Sequence, residues 1–177
     1  METRKVINNR KSVRSYTGEK ISENDLQAIL KAANEAPVGM GRYENVHLTV
    51  IEKPELLQAI EENAARMFGR PDMKPLYGAP VYVLVSAKPM NEAMGNVEYS
   101  NVAIIVQNMA LTAVDLGVGS CYIWGATMAL HTNPDLVRQL SLPEGFSPCC
   151  GIVLGVTAET YADRVIPDQR IAINYLK

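Results

Sequence analysis

The stretch Val97-Glu98-Tyr99-Ser100-Asn101-Val102-Ala103-Ile104-Ile105-Val106-Gln107-Asn108-Met109-Ala110-Leu111-Thr112-Ala113-Val114-Asp115-Leu116-Gly117-Val118-Gly119-Ser120-Cys121-Tyr122-Ile123-Trp124-Gly125 decides the fold. From Val97 to Leu116 apolar residues fall nearly all round a helical wheel, the pattern of a helix at the centre of a core. Gly117 is its terminator, because glycine enters the left-handed conformation that ends helices without steric cost. Gly119 to Trp124 then reads as a strand entering a loop at Gly125. Gln107, Asn108, Thr112 and Asp115 make the apolar run from Val102 too short and too polar for a membrane span. Gly117 and Gly119 form only G-x-G, with Tyr122 where a dinucleotide fold needs glycine, and no G-x-x-x-x-G-K-[ST] loop occurs.

Working outward, Ser22 reads as an N-cap followed by acidic residues, opening a helix with Leu26, Ile29, Leu30 and Ala33 on one face. That helix ends near Ala36, since Pro37 disfavours helical geometry before it. The loop Pro37-Val38-Gly39-Met40-Gly41 precedes a β-branched strand, Val46 to Ile51. Pro54 starts a second helix, with Leu56, Leu57, Ile60, Ala64 and Met67 at helical spacing, and it stops near Gly69. Residues 68–78 read as irregular, and Val81 to Val85 as a strand buried on both faces. After the loop Lys88 to Asn96 and the central helix, Asn133-Pro134 caps a short helix through Leu140, and Cys149 to Val156 forms the next strand. The tail Arg170 to Tyr175 alternates polar and apolar residues and suits an edge strand, on this chain or a neighbouring subunit. Helices and strands without uniform alternation predict an α+β layer architecture in one domain, 1–177.

A net charge of −2 over 177 residues excludes the broad basic field of nucleic-acid or anionic-membrane binding. Cys121, Cys149 and Cys150 are an odd, unspaced set, and neighbouring strand residues point to opposite faces, so reduced thiols in a cytoplasmic protein are expected. Met1 to Arg10 is polar and lacks the apolar core of a secretory signal. His47 and His131 have no companions at metal spacing, so no metal site is expected. Ser120 and Cys121 lack a G-x-S-x-G elbow. Cys149 and Cys150 suit buried small apolar positions, and Glu61 and Glu62 an exposed, solvated helix side.

One cluster stands apart: Arg10-Lys11-Ser12-Val13-Arg14-Ser15-Tyr16. Three cations and two serine hydroxyls can grip a phosphate through side chains, with the arginine fork matching its oxygens. The same composition also describes a solvated basic turn.

The R-x-S-x-R turn before a capped helix, the Ala36-Pro37-x-Gly39 loop after it, and Gln107-Asn108 followed by Leu116 to Cys121 occur in an order that resembles the FMN-dependent nitroreductase family, from about Val6 to Arg164. The resemblance implies a nitroreductase-like α+β fold: a central, mostly antiparallel sheet flanked by helices, with C-terminal strand exchange in a homodimer. It implies that Arg10, Ser12 and Arg14 grip the FMN phosphate, that Lys11 lies on or near the flavin, and that Arg164, with Arg170 in reserve, completes the cage. Pro37, Val38, Gly39 and Gly41 occupy the loop that the partner subunit brings to the flavin ring. Where the family carries serine, asparagine and glutamine donors, this chain has valine, glycine and tyrosine. Contacts there fall to backbone groups, with Arg42 a new cation near substrate or the pyrimidine carbonyls. Ile123, Trp124 and Gly125 match the segment that passes a backbone amide near flavin N5. Trp124 is either a pocket wall or a core or interface residue, and Asn101 a helix-start or interface residue. The implied activity is hydride transfer from NAD(P)H to a nitroaromatic, quinone or enone by a ping-pong mechanism. The alternatives are a flavin-binding sensor or electron-transfer protein, and a dimerising domain without cofactor.

Overall fold

The computed structural model describes residues 2–177. In chain order the elements are α1 (Thr3–Asn9), α2 (Glu23–Asn34), β1 (Val46–Ile51), α3 (Pro54–Met67), β2 (Val81–Ala87), α4 (Asn96–Asp115), β3 (Gly119–Ile123), α5 (Gly125–Leu130), α6 (Pro134–Gln139) and β4 (Ser147–Gly155). The helix ends follow local chemistry. Ser22 Oγ accepts the Asp25 N–H at 3.1 Å, and Asn133 Oδ1 accepts that of Leu136 at 3.1 Å. Gly117 takes a φ of 75°, and the Val118 N–H closes on the Ala113 carbonyl at 2.8 Å to end α4.

The strands form one antiparallel sheet in the order β1-β2-β4-β3. Every residue of β2 is buried, so its side chains feed two cores. On one face Val81, Val83, Val85, Ile152 and Leu154 meet Leu26 and Ile29 of α2 and Val102, Ile105, Val106 and Met109 of α4. On the other, Tyr82, Leu84, Val153, Cys121 and Ile123 meet α3, α5 and α6. The sheet is thus the middle of three layers, the α+β architecture expected from the sequence.

Four expectations change. Gly125 opens the helix α5 and not a loop: six residues give too short a run for periodicity to show, and the helix is fixed from outside by burial of Ala126, Ala129 and Leu130. The tail from residue 160 forms no strand in this chain, and Ile171, Ile173, Tyr175 and Leu176 lie exposed. Glu61 is half-buried and not simply solvated, because its carboxylate accepts the Leu76 N–H at 3.0 Å; burial raises its pKa. The adjacent cysteines do not face opposite ways. Val85 pairs with Cys150 but Ser86 with Pro148, so Cys149 is the extra residue of a bulge and shares the α2–α4 core with Cys150. All three cysteines are free and buried.

Among the described residues no helix is long and apolar enough to cross a membrane.

Candidate functional site

The basic cluster leaves the end of α1 and is laid along the β3–β4 edge by backbone bonds. The Val13 N–H donates to the Ser120 carbonyl at 2.8 Å and the Thr17 N–H to that of Val156 at 3.0 Å. Thr157 Oγ1 donates to the Ser15 carbonyl at 2.8 Å. Val13 is fully buried, and the half-buried Tyr16 turns its hydroxyl back to the Val13 carbonyl at 2.9 Å. Gly155 permits this seat, since a Cβ there would stand 2.9 Å from the Tyr16 ring.

With Val13 pointing inward, the positions two apart share another side. Cys121, at the centre of β3, is a buried thiol whose own hydrogen bond goes to the Tyr122 carbonyl at 3.5 Å, and the charges of Arg14 and Arg10 bear on it from this segment. Burial raises the Cys121 pKa, and these two charges pull against that rise. Lys11, one position out of phase, goes elsewhere. Its ammonium pairs with Glu159 at 2.7 Å and lies 5.9 Å from the centre of the Tyr161 ring. The hydrogen bond from Lys11 holds the Glu159 carboxyl below its ordinary pKa. Tyr161 in turn donates to the Val118 carbonyl at 2.7 Å.

Arg14 has a further support. Its guanidinium lies 5.8 Å from the centre of the Tyr77 ring, and a hydrogen bond to Tyr77 raises its pKa. Tyr77 adopts a φ of 57°, a left-handed conformation that costs a side-chain-bearing residue energy.

Arg164 is clamped to the end of α1. Its guanidinium donates to the Asn8 and Ile7 carbonyls, its backbone N–H donates to Asn8 Oδ1 at 2.7 Å, and Asn8 Nδ2 returns a bond to the Arg164 carbonyl at 2.9 Å. A cation at a helix C-terminus complements the helix dipole. This fixes Arg164 against Asn8, two residues before Arg10. Arg170 lies in an exposed turn of the tail.

The Pro37–Gly41 loop is built on α4. The Gly39 N–H donates to Asn101 Oδ1 at 2.9 Å, and a Cβ on Gly39 would crowd Val97 at 3.3 Å. Met40 and Gly41 follow with φ of 56° and 66°, and Tyr43 donates to the Ala36 carbonyl at 3.1 Å. Val38 is buried, whereas Met40 is 74% exposed. No hydrogen bond or ion pair among the described residues ties this loop to residues 10–14. Ile123 is buried at the end of β3; Trp124, 53% exposed, is not a core residue of this chain, and Gly125 faces the Phe68 ring.

Sequence reasoning missed Tyr77 as the ring beside Arg14, Glu159 as the partner of Lys11, and the hold of Asn101 on Gly39. The only hint for Asn101 was its place one helical turn beyond Val97. Among the described residues, no group of three or more histidine, cysteine or carboxylate side chains could hold a metal ion. A cleft of about 640 Å³ between α3 and residues 71–80 contains none of these site residues.

The profile of the Nitroreductase family matches residues 7–156. A protein of Archaeoglobus fulgidus provisionally named NADH dehydrogenase/NAD(P)H nitroreductase is 31% identical over 155 residues, 87% of this chain and 84% of its own. The FMN reductase [NAD(P)H] of Bacillus subtilis is 26% identical over 92% of this chain and 69% of its own. The crystal structure of a nitroreductase with bound FMN from Desulfitobacterium hafniense superposes with a TM-score of 0.85 at 26% identity, covering 99% of both chains. With the R-x-S-x-R segment pinned to β3 and the three-layer fold around it, this chain belongs to the nitroreductase family.

Proposed function

We propose that this protein is an FMN-dependent oxidoreductase that takes hydride from NAD(P)H and reduces a small organic acceptor of the nitroaromatic, quinone or enone type in a ping-pong cycle. What supports this reading is the R-x-S-x-R segment, pinned to β3 by the Val13–Ser120 backbone bond, in a chain of the nitroreductase family. That donor set fits a phosphate monoester: two planar cations supply charge-assisted bonds, and a short hydroxyl fills the gap between them. In this reading Arg164, held at the end of α1 two residues before Arg10, is the first candidate for a third cation, with Arg170 in reserve.

When bound, FMN supplies the redox chemistry, and the chain supplies binding, orientation and exclusion of water. Backbone groups of Ile123, Trp124 and Gly125 orient the ring edge. Pro37, Val38, Gly39 and Gly41 of a second subunit close the site, which makes a homodimer the working unit. Lys11, paired with Glu159, orders the segment 157–161 beside the phosphate site.

The purified protein is expected to show a flavin spectrum and to bleach on anaerobic mixing with NADH or NADPH. Arg10→Ala and Arg14→Ala are each expected to weaken FMN binding at least about tenfold, the worth of one charge-assisted hydrogen bond. Unchanged FMN affinity in the double variant would sink the phosphate assignment. A flavin that binds but is not bleached by either nucleotide would make the protein a flavin-binding sensor or electron carrier instead.

A further inference from the structure

A second concavity lies at the end of the sheet, between the loop that leaves α2 and the loop that leaves β2. It encloses about 390 Å³ and is lined by Met40, Arg42, Asn45, Pro89, Met90 and Asn91. Both walls are fixed by hydrogen bonds. On one side the Arg42 N–H donates to the Gly39 carbonyl at 3.3 Å and the Asn45 N–H to that of Arg42 at 3.1 Å, while Gly39 itself is held by Asn101. On the other, Glu98 at the start of α4 takes the Met90 N–H on one oxygen and the Gly95 N–H on the other, each at 2.9 Å. The Lys88 N–H joins the walls through the Asn45 carbonyl at 2.9 Å.

The groove is chemically one-sided. Among the described residues the Arg42 guanidinium has no hydrogen bond, ion pair or ring partner of its own, and no carboxylate lines the groove. Glu98, behind the wall, has spent both oxygens on backbone donors, which hold its carboxyl below its ordinary pKa. An exposed arginine alone would mean little. Here an uncompensated fork sits in a fixed concavity beside two side-chain amides, with Met40 and Met90 offering adaptable apolar surface. That combination suits an anionic group, carboxylate, sulfonate or phosphate, carried on an apolar or aromatic body.

We propose that the Arg42 groove is an anion-recognition subsite that selects negatively charged reactants. The proposal rests on the functional reading above, in which this loop closes the flavin site. The anion can belong to the organic acceptor or to a phosphate of the nicotinamide dinucleotide, and the test separates them.

Direct binding comes first, because it needs no turnover. The full chain is titrated calorimetrically with naphthalene-2-sulfonate and with its neutral counterpart naphthalene-2-sulfonamide. The sulfonate is expected to bind more tightly, and Arg42→Gln to weaken the sulfonate at least tenfold without matching loss of the sulfonamide. Equal binding of the two probes, or a sulfonate affinity that Arg42→Gln leaves alone, overturns the proposal. In the FMN-loaded protein, KM is then compared for 1,4-naphthoquinone-2-sulfonate against 1,4-naphthoquinone, and for NADPH against NADH. A rise confined to the sulfonated quinone assigns the anion to the acceptor; a rise confined to the dinucleotides assigns it to their phosphates. If no KM ratio moves, the groove has no role in selection and the proposal fails, although FMN binding stands. Arg42-dependent sulfonate binding in a protein that takes up no FMN would instead overturn the functional reading and leave the anion site.

Discussion

Lys11 shows what one position of offset does in an extended segment. Arg14 packs beside the Tyr77 ring, while Lys11 is drawn to Glu159. Lys11→Met is therefore expected to leave FMN affinity within about twofold, where Arg10→Ala costs about tenfold, and equilibrium titration compares them. Because Lys11 lowers the Glu159 pKa, the pair's contribution to stability is present above the ordinary carboxylate range. It is lost as pH falls through the depressed value, so the acid limb of urea-midpoint curves should flatten in Lys11→Met. Gly151 makes a stability prediction at the same scale. A Cβ there would lie 2.4 Å from the Tyr82 ring and 2.7 Å from the Val83 carbonyl, and a backbone oxygen cannot move aside. Gly151→Ala should lower stability by about 3 kcal/mol, the upper part of the overpacking range, read as a lower urea midpoint at unchanged m.

At the scale of elements, the bulge in β4 sets the chemistry of two thiols. It turns Cys149 and Cys150 into the same core, where burial raises their pKa to about 11 and about 12 from an ordinary 9.0. Groups with raised folded values contribute fully below the ordinary value and lose that contribution as pH rises toward the folded one. Stability should accordingly fall from about pH 9 upward, and fall less steeply in Cys149→Ala/Cys150→Ala, measured by urea denaturation across the alkaline range. The junction of α2 with α4 depends on Asn101. Asn101→Ala leaves the Gly39 N–H without its acceptor and should cost about 1–3 kcal/mol, whereas Asn101→Asp keeps an acceptor and should cost less. Thermal unfolding of the two variants separates the lost bond from a general loss of packing.

At the scale of the whole molecule, the apolar surface is unfinished. Ile7 of α1, Val97 and Ile104 of α4, Met40 and Tyr43 of the loop and Trp124 are exposed, and so is the tail from Ile171 to Leu176. We propose that a second copy of this chain covers these groups. Sedimentation should give a dimer, and deleting residues 169–177 should shift it toward monomer and weaken FMN binding, if the tail completes a neighbouring site. A truncated chain that stays dimeric with unchanged FMN affinity would remove the tail from both roles.

What the sequence determined by itself was local. Ser22, Asn133-Pro134 and Gly117 set helix ends because capping is decided within a few residues, and the runs Val46–Ile51 and Val81–Val85 declared strands by composition. The R-x-S-x-R cluster was likewise legible as a local concentration of cations and hydroxyls. Tertiary structure decided the rest. Helix α5 owes its existence to packing, the two cysteines share a core through a pairing irregularity with β2, and Glu61 is drawn inward by a backbone donor fifteen residues away. The anchoring of Arg164 on Asn8 and the pairing of Lys11 with Glu159 depend on partners more than a hundred residues distant in sequence. Such choices are set by which groups folding brings within hydrogen-bonding reach, and no window of sequence contains both members of the pair.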